Sequence, residues 1–298
     1  MNTNLSRRDF LKSSVIAASG LAVLPNWLAA QDKPKSKMQI SAQMYSVRGD
    51  CGANFDNALE KVAKMGFKGV EFAGYYNYGN KPVELKKRLD DLGIQASGTH
   101  IGTGSFDKNN LQRTIDFHAA IGCKYLIVPG DGRFTNPDKW KELVDIFNQT
   151  AAILKPLGMS CGYHCHTGEF KKLGDKTFWE LFAENTSEDV VLQQDCGWSY
   201  VAKQDPAALI RKYPGRSRTL HIKPSVVKED QGVKKAILGQ DSVPWPSVLL
   251  AARDAGNTDW LTVEQDPTYR IIFLSRGILY LPYRYSISSR DLRTNSFP

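Results

Sequence analysis

Histidine and carboxylate side chains recur in this sequence at or near the ends of short apolar segments. Four of the five histidines have this position: His100, His164, His166 and His221. The carboxylates that share it are Glu71, Glu169, Asp195 and Glu264. A lone polar residue at a strand end is usually only solvated, but eight of them on one rim indicate a site. We therefore expect these side chains to converge.

Two glutamates, one aspartate and one histidine from this group make a hard set of oxygen and nitrogen donors. Such a set suits a divalent metal ion (Mn²⁺, Mg²⁺, Co²⁺ or Zn²⁺) rather than a thiolate zinc site. The metal can polarise a sugar carbonyl and stabilise the enediolate that forms when a flanking carboxylate removes the neighbouring proton. A Ser–His–Asp triad is a weaker interpretation because no serine lies in a GxSxG motif. A GxxxxGK[ST] phosphate loop is also absent from the sequence.

The elements that must position these residues alternate between strands and helices. Eight apolar β-type segments recur along the chain: Met38–Tyr45, Gly69–Ala73, Ile94–Thr99, Tyr125–Pro129, Ser160–His164, Val190–Gln194, Arg218–Ile222 and Trp260–Glu264. This alternation predicts a parallel sheet, and eight units predict a single closed (β/α)8 TIM barrel of the α/β class. An open doubly wound sheet is the alternative, but no GxGxxG follows the first strand.

The segments between the predicted strands have helical periodicity. One apolar stripe consists of Trp140, Leu143, Val144, Phe147 and Leu154. The pairs Asp205-Pro206 and Asn136-Pro137 each predict a helix start, since a capping side chain precedes a proline at the first helical position. An earlier helix, which contains Leu59 and Val62, is expected to end at Gly66.

The amino-terminal segment is typical of an export signal. Arg7-Arg8 precede Phe-Leu-Lys and a short apolar run, Val15–Leu24, and Ala29-Ala30 supply a small-residue end. This pattern matches the twin-arginine signal of bacteria, so we expect the twin-arginine machinery to be a partner and to export the protein to the periplasm. Residues 1–30 are expected to be cleaved off during export. The alternative is an amphipathic surface helix, which Gly20 and Pro25 disfavour.

Three further segments complete the predicted domain organisation. Residues 31–37 form a short polar linker, residues 38–268 form the barrel, and residues 269–298 form an atypical tail. The tail is rich in Ile, Tyr, Ser and Arg, contains Pro282 and has no clean helical stripe. It therefore does not resemble the helix that normally closes such a barrel.

The formal net charge of +8 is concentrated at the two ends of the chain. Residues 1–30 carry +2 and residues 270–298 carry +4, so the remaining 239 residues carry only +2. A nearly neutral barrel gives no support for nucleic-acid binding, and we expect no nucleic-acid partner. The five cysteines contain no CxxC pair, which predicts buried thiols rather than a disulfide framework.

The segment Tyr163–Phe170, which reads YHCHTGEF, resembles the YHNHxxEF motif of the sugar phosphate isomerase/epimerase family, the xylose isomerase-like barrels. Other segments stand in that family's order and spacing: Gly69–Phe72, Gly98–His100, Gln194–Trp198, Asp205-Pro206, Leu220–Lys223 and Val263–Asp266. The resemblance covers about residues 38–268, and the motifs are specific as a set. It implies a xylose isomerase-like TIM barrel that acts on a small-molecule sugar.

Carried over position by position, the resemblance implies four metal ligands: Glu169, Asp195, His221 and Glu264. Glu169 and Glu264 are also implied as the catalytic pair that transfers protons on opposite faces of the substrate. The residues implied to contact the sugar or line its pocket are Glu71, His100, His164, His166 and Lys223. Trp198 is either an apolar platform for a sugar face or ordinary packing.

Departures from the family pattern leave the substrate open. Cys165 stands where the family has Asn, Gly168 replaces a bulky residue, and Leu238-Gly239-Gln240 lacks the acidic residue of the usual LGE or IGE sequence. Export also argues against sugar phosphates, which are largely cytoplasmic. We expect instead a free keto-sugar or a 3-keto-glycoside, on which the same first proton transfer leads to isomerisation, epimerisation or loss of the aglycone.

Two alternatives come from other functional classes. The first is a non-catalytic sugar-binding barrel, which the paired Glu169 and Glu264 argue against. The second is a phosphodiesterase similar to endonuclease IV, which needs more histidine ligands and a basic face for DNA. The sequence leaves open whether the protein forms a homo-oligomer.

Overall fold

The computed structural model describes residues 38–265, which form an eight-stranded parallel barrel with helices around it. The barrel strands are β1 (Gln39–Gln43), β2 (Gly69–Phe72), β3 (Gln95–His100), β4 (Tyr125–Val128), β5 (Ser160–His164), β6 (Val191–Gln193), β7 (Thr219–Ile222) and β8 (Trp260–Val263). Their order in the sheet is β6-β5-β4-β3-β2-β1-β8-β7, and every neighbouring pair is parallel. The predicted (β/α)8 barrel is therefore confirmed.

The barrel closes between β6 and β7 through a few backbone contacts. Asp195 and His221 form an isolated parallel bridge, in which the His221 N–H donates to the carbonyl oxygen of Gln194 at 3.0 Å. In the middle of β6, the Leu192 N–H donates to the carbonyl oxygen of Arg216 at 2.8 Å. This closure brings two predicted site residues, Asp195 and His221, side by side.

Helices follow the barrel strands in the expected alternation. Their bounds are α1 (Arg48–Ala53), α2 (Phe55–Lys64), α3 (Pro82–Asp91), α4 (Leu111–Ala120), α5 (Trp140–Leu154), α6 (Phe178–Asn185), α7 (Cys196–Val201), α8 (Pro206–Lys212) and α9 (Trp245–Ala251). Short 3-10 turns include Met44–Val47 after β1 and Gly168–Phe170 after β5. A two-stranded antiparallel hairpin pairs Lys172–Leu173 with Lys176–Thr177. No helix in residues 38–265 is both long enough and apolar enough to cross a membrane.

Each predicted β segment overlaps one barrel strand, and the bounds of β5 are those predicted. β3 extends one residue beyond its predicted segment, to His100. The first segment was expected to extend to Tyr45, but the strand ends at Gln43. The Gln43 side chain there accepts a hydrogen bond from the Tyr45 N–H, which turns the backbone into a 3-10 helix.

The predicted helix boundaries are confirmed in two places and wrong in one. Gly66, at φ +92°, follows α2, and the Asp205 carboxylate caps α8 by accepting from the Ala207 N–H at 2.8 Å. The prediction that Asn136 caps the next helix is wrong because α5 begins only at Trp140. The Asn136 side chain instead accepts from the Asp138 N–H in a turn that precedes the helix.

Apolar side chains fill both the space around the barrel and its amino-terminal end. The predicted stripe of α5 is buried against the outer face of β4 and β5. Inside the barrel, a separate cluster consists of Tyr125, Ile127, Val191 and Trp260. Strand residues alternate in direction, so Tyr125 and Ile127 face inward while Leu126 and Val128 face the helices. We call the inner cluster the apolar plug.

The remaining structural predictions concern cysteines and the chain ends. All five cysteines are buried thiols, as predicted. The predicted signal (1–30), linker (31–37) and tail (269–298) lie outside the described residues, as do the last three residues of the predicted barrel. Those assignments therefore stay predictions.

Gly98 on β3 tests how tightly the barrel interior is packed. A Cβ at this position would lie 2.9 Å from Oε1 of Glu71, closer than ordinary contact. We expect Gly98→Ala to lower the free energy of unfolding by about 1–3 kcal/mol because it overpacks the interior. Urea denaturation measures the change. Gly102→Ala is the matched control, since no atom of residues 38–265 lies within 4 Å of a Cβ there. Equal stability of the two variants would contradict the packing described.

Candidate metal centre

Four side chains at the carboxyl ends of barrel strands meet in one group. His164 ends β5, Asp195 follows β6, His221 lies on β7 and Glu264 follows β8. Each offers one ligand atom, and these atoms all lie within 4.8 Å of one another. We call these residues the four-ligand group. Two imidazoles and two carboxylates form a donor set that suits Mn²⁺, Zn²⁺ and similar divalent ions.

Asp195 supplies the strongest indication that the group fits a cation. Its Oδ1 accepts a hydrogen bond from the Trp198 N–H at 2.8 Å. Its Oδ2 is buried and has no hydrogen-bond partner among the described residues. Burial and the nearby charge of Glu264 raise the pKa of Asp195 to about 7. A buried carboxylate oxygen without a donor is costly, and a cation would remove that cost.

His221 is bound by carboxylates on both sides. Its Nε2 lies 2.5 Å from Oε2 of Glu71, and its Nδ1 lies 2.9 Å from Oε2 of Glu264. Burial lowers the pKa of His221, but the two carboxylates outweigh burial and raise it to about 10. The same Nδ1 lies 4.0 Å from Oδ2 of Asp195. Nδ1 is therefore the ring nitrogen of His221 that faces the other ligands of the group.

Glu71 lies beneath the four-ligand group and is fully buried. It accepts hydrogen bonds at 2.6 Å from Nε2 of Gln43 and from Nε2 of Gln193. Burial raises the pKa of Glu71, but the charges of His100 and His221 lower it more, and the pKa falls below its ordinary value. The carboxylate was predicted to line a sugar pocket; its neighbours here are histidines and amides.

Gln43 and Gln193 are site residues that sequence reasoning missed. Gln193 Oε1 contacts Nε2 of His100 at 2.8 Å and Nδ1 of His164 at 3.0 Å. Both glutamines lie inside predicted β segments beside other polar residues, Gln39 and Ser41 in the first and Gln194 in the sixth, so neither stood out. The available signal was that a polar side chain in an otherwise apolar segment must face other polar groups if it is buried.

The structure does not bring Glu169 into the four-ligand group; His164 takes that position. Glu169 lies in the 3-10 turn after β5, where its Oε2 accepts from the His166 N–H at 2.8 Å. Its Oε1 lies 3.5 Å from the Tyr163 hydroxyl, which donates to it. Burial raises the pKa of Glu169. The predicted ligand set thus differs in one member from the group that the structure assembles.

Three other predicted residues lie around the group. Lys223 Nζ donates to Oε1 of Glu264 at 2.7 Å and lies 5.4 Å from the centre of the Trp198 ring. The ring of His166 lies 6.0 Å from that of Trp198 and 4.8 Å from that of His164. His100 stacks on His221, with ring centres 5.2 Å apart and planes 7° apart. Each of these predicted sugar contacts therefore adjoins a member of the four-ligand group.

Cys165, which stands where the family has Asn, contacts the backbone of Asp195. Its buried Sγ accepts a hydrogen bond from the Asp195 N–H at 3.3 Å. Burial raises the pKa of the Cys165 thiol well above its ordinary value. The thiol therefore helps to hold the backbone of a candidate ligand and is not itself a metal-binding thiolate.

Comparison with known proteins places this geometry among sugar enzymes. The sequence model of the xylose isomerase-like TIM barrel family matches residues 59–272. The inosose dehydratase of Geobacillus kaustophilus is 24% identical over 253 residues, which cover 71% of this chain and 80% of the relative. The fold is similar to a sugar phosphate isomerase/epimerase from Parabacteroides distasonis, with a TM-score of 0.67, 25% identity and coverage of 84% and 97% of the two chains.

A more distant structure shares the fold alone. The D-allulose 3-epimerase from Methylomonas sp., solved with D-allulose, has a TM-score of 0.63 and is 14% identical. The alignment covers 84% of this chain and 98% of that enzyme. The likeness to this enzyme extends to the barrel fold.

The two ligand sets can be separated by thermal unfolding with Mn²⁺. A cation at 100 times its Kd should stabilise the native protein by about 2.7 kcal/mol and raise the Tm by about 5–10 °C. We expect His164→Gln to abolish this rise, because His164 is the ligand that only the four-ligand group contains. Glu169→Gln is the matched control and should retain the rise. The four-ligand group would be the wrong set if Glu169→Gln abolished the rise and His164→Gln kept it.

Proposed function

Since the chain belongs to the xylose isomerase-like TIM barrel family, we propose that it is a metal-dependent sugar isomerase or epimerase. Its reaction begins with removal of a proton from the carbon next to a carbonyl. The observation that carries this proposal is the buried Oδ2 of Asp195, which lacks a partner among the described residues and belongs to the four-ligand group.

In this proposal His164, Asp195, His221 and Glu264 hold one divalent cation (Mn²⁺, Mg²⁺, Co²⁺ or Zn²⁺). When bound, it supplies Lewis-acid polarisation of a sugar carbonyl and the neighbouring hydroxyl. His164 replaces Glu169 in the ligand set inferred from sequence, which leaves the Glu169 carboxylate available for proton transfer.

Glu169 is the proposed base. The His166 N–H and the Tyr163 hydroxyl orient its carboxylate, and burial raises its pKa toward the range that suits a general base near neutral pH. Glu264, which bonds to Lys223 and His221, is the proposed partner that returns the proton. Return to the opposite face of the same carbon epimerises the sugar, and return to the neighbouring carbon isomerises it.

The groups beside the cation site are proposed to bind the rest of the sugar. His100, His166 and Lys223 offer donors to hydroxyl oxygens, and the partly exposed Trp198 offers an apolar face. Aromatic rings and cationic donors are a common combination around polyhydroxy ligands because they match apolar C–H faces and polar oxygens at once. A free or oxidised sugar fits these groups.

A second candidate function is elimination by the same first step. The relatives named inosose dehydratase favour it. After Glu169 removes the proton, a hydroxide or aglycone on the next carbon leaves with the bonding electrons, and a double bond forms. The two candidates differ in product and share the base, so they are tested together.

Proton exchange with solvent tests the base. We expect the wild-type protein with Mn²⁺, incubated in D₂O with inosose or a ketohexose, to incorporate deuterium next to the carbonyl, as measured by NMR. Glu169→Gln should slow exchange by about 10²–10⁴-fold. Because burial raises the pKa of Glu169 above its ordinary 4.5, the acid side of the rate profile should fall at a correspondingly higher pH.

The matched control for this test is Glu142→Gln, which removes a carboxylate from an exposed position on α5. It should exchange at the wild-type rate. Exchange by Glu169→Gln at the rate of this control would exclude Glu169 as the base. A new alkene signal in the same spectra would identify elimination, and a new sugar stereoisomer would identify epimerisation.

We also propose that the protein is exported to the periplasm by the twin-arginine pathway. The support is the sequence pattern around Arg7-Arg8, which precedes the short apolar run. Replacing both arginines by lysine should keep the protein in the cytoplasmic fraction, as judged by immunoblotting of fractionated bacteria. Lys35→Arg and Lys37→Arg together form the control. Periplasmic recovery of the double-lysine variant at the wild-type level would contradict the proposal.

A further inference from the structure

We propose that Gln193 and Glu71 form a positioning pair that fixes which ring nitrogen of His164 and of His221 carries a proton. Each histidine then turns its other ring nitrogen toward the cation. The consequence for cation binding rests on the proposed function, whereas the position of the proton on His164 does not require a cation. Gln193 and Gln43, the two glutamines that donate to Glu71, were not predicted from the sequence as site residues.

The direction of the hydrogen bonds follows from groups that can only donate. The Tyr45 N–H donates to Oε1 of Gln43 at 3.0 Å, so the Gln43 amide must turn its Nε2 to Glu71. The Glu71 carboxylate is thus an acceptor at the centre of the network. Gln193 lies 2.6 Å from its other oxygen and must also turn Nε2 to it. The second proton of that amide reaches Oγ1 of Thr219 at 2.8 Å.

The amide oxygen of Gln193 therefore faces two imidazole rings and can only accept. It lies 3.0 Å from Nδ1 of His164, so this nitrogen must carry the proton. Nε2 of His164 is left with its lone pair and serves as the ligand atom.

Glu71 performs the same task for His221. Its Oε2 lies 2.5 Å from Nε2 and holds the proton on that nitrogen. Nδ1 is then the ring nitrogen left to face Glu264 and Asp195. Because Gln193 and Glu71 are bonded to each other, one linked pair orients both imidazole ligands.

The first measurement is the tautomer of His164 in the metal-free protein, read from long-range ¹H–¹⁵N correlations of ¹⁵N-histidine-labelled samples. His164→Asn assigns the signals. We expect the Nδ1–H tautomer in the wild type and its loss in Gln193→Met. Gln43→Met is the matched control, since it removes an equivalent bond to Glu71 but Gln43 has no hydrogen bond to either ring. This control should keep the Nδ1–H tautomer.

The second measurement is Mn²⁺ affinity by competition with a chromophoric chelator. Gln193→Met should weaken binding by about 10–100-fold, the usual effect of removing a group that orients a ligand. Gln43→Met, which leaves the hydrogen bonds of both rings in place, should weaken binding less than Gln193→Met. If Gln193→Met does not fold, Gln193→Glu replaces it in the affinity measurement. This variant keeps an oxygen for His164, and therefore the Nδ1–H tautomer. It also places a second carboxylate against Glu71.

The outcomes separate this inference from the proposed function. An Nε2–H tautomer of His164 in the wild type overturns the inference. So does a tautomer that is the same in Gln193→Met and Gln43→Met. If the wild-type protein binds no Mn²⁺, but the Nδ1–H tautomer of His164 is lost in Gln193→Met and kept in Gln43→Met, the positioning pair is supported and the metal enzyme is rejected. If the wild-type protein binds Mn²⁺ but the tautomer of His164 is unchanged in Gln193→Met, the positioning pair is rejected and the metal enzyme is not.

Discussion

The fully buried Glu71 carboxylate is the constraint around which the centre of this barrel is arranged. A charge removed from water is costly unless donors and opposite charge surround it. Gln43, Gln193 and His221 meet that requirement from three different strands. Gly98 leaves the space that the carboxylate occupies. The strands of the barrel are therefore tied together at its axis by a polar network and not by apolar packing alone.

This network divides the barrel interior into two parts with different tasks. At the amino-terminal end the apolar plug, with Trp260 and Ile127, fills the space between the strands. Above it lie Glu71 and its amide partners, and above these the four-ligand group at the carboxyl ends. In the proposed enzyme the plug stabilises the fold, the amides and Glu71 set ring orientation, and the four-ligand group meets the substrate. TIM barrels generally separate stability from chemistry in this way.

Much of the fold and part of the site could be predicted from the sequence because both depend on strand ends. Alternating apolar segments identified all eight strands, and strand-end positions identified Asp195, His221 and Glu264. Gln43 and Gln193 were missed although each ends its strand, because the predicted segments extended to Tyr45 and Gln194. Which face of a strand points inward also depends on tertiary pairing. The choice between His164 and Glu169 depends on the turn after β5, where the His166 N–H holds Glu169. A motif match does not specify that hydrogen bond.

The central claim is that one divalent cation binds between two imidazoles and two carboxylates, above the Glu71 network. Anomalous diffraction at the zinc absorption edge, from crystals grown with Zn²⁺, tests it most directly. The account predicts one strong peak about 2.0–2.2 Å from Nε2 of His164, Nδ1 of His221 and the carboxylates of Asp195 and Glu264. A peak bound by Glu169 without His164, or no peak inside the barrel, would contradict it.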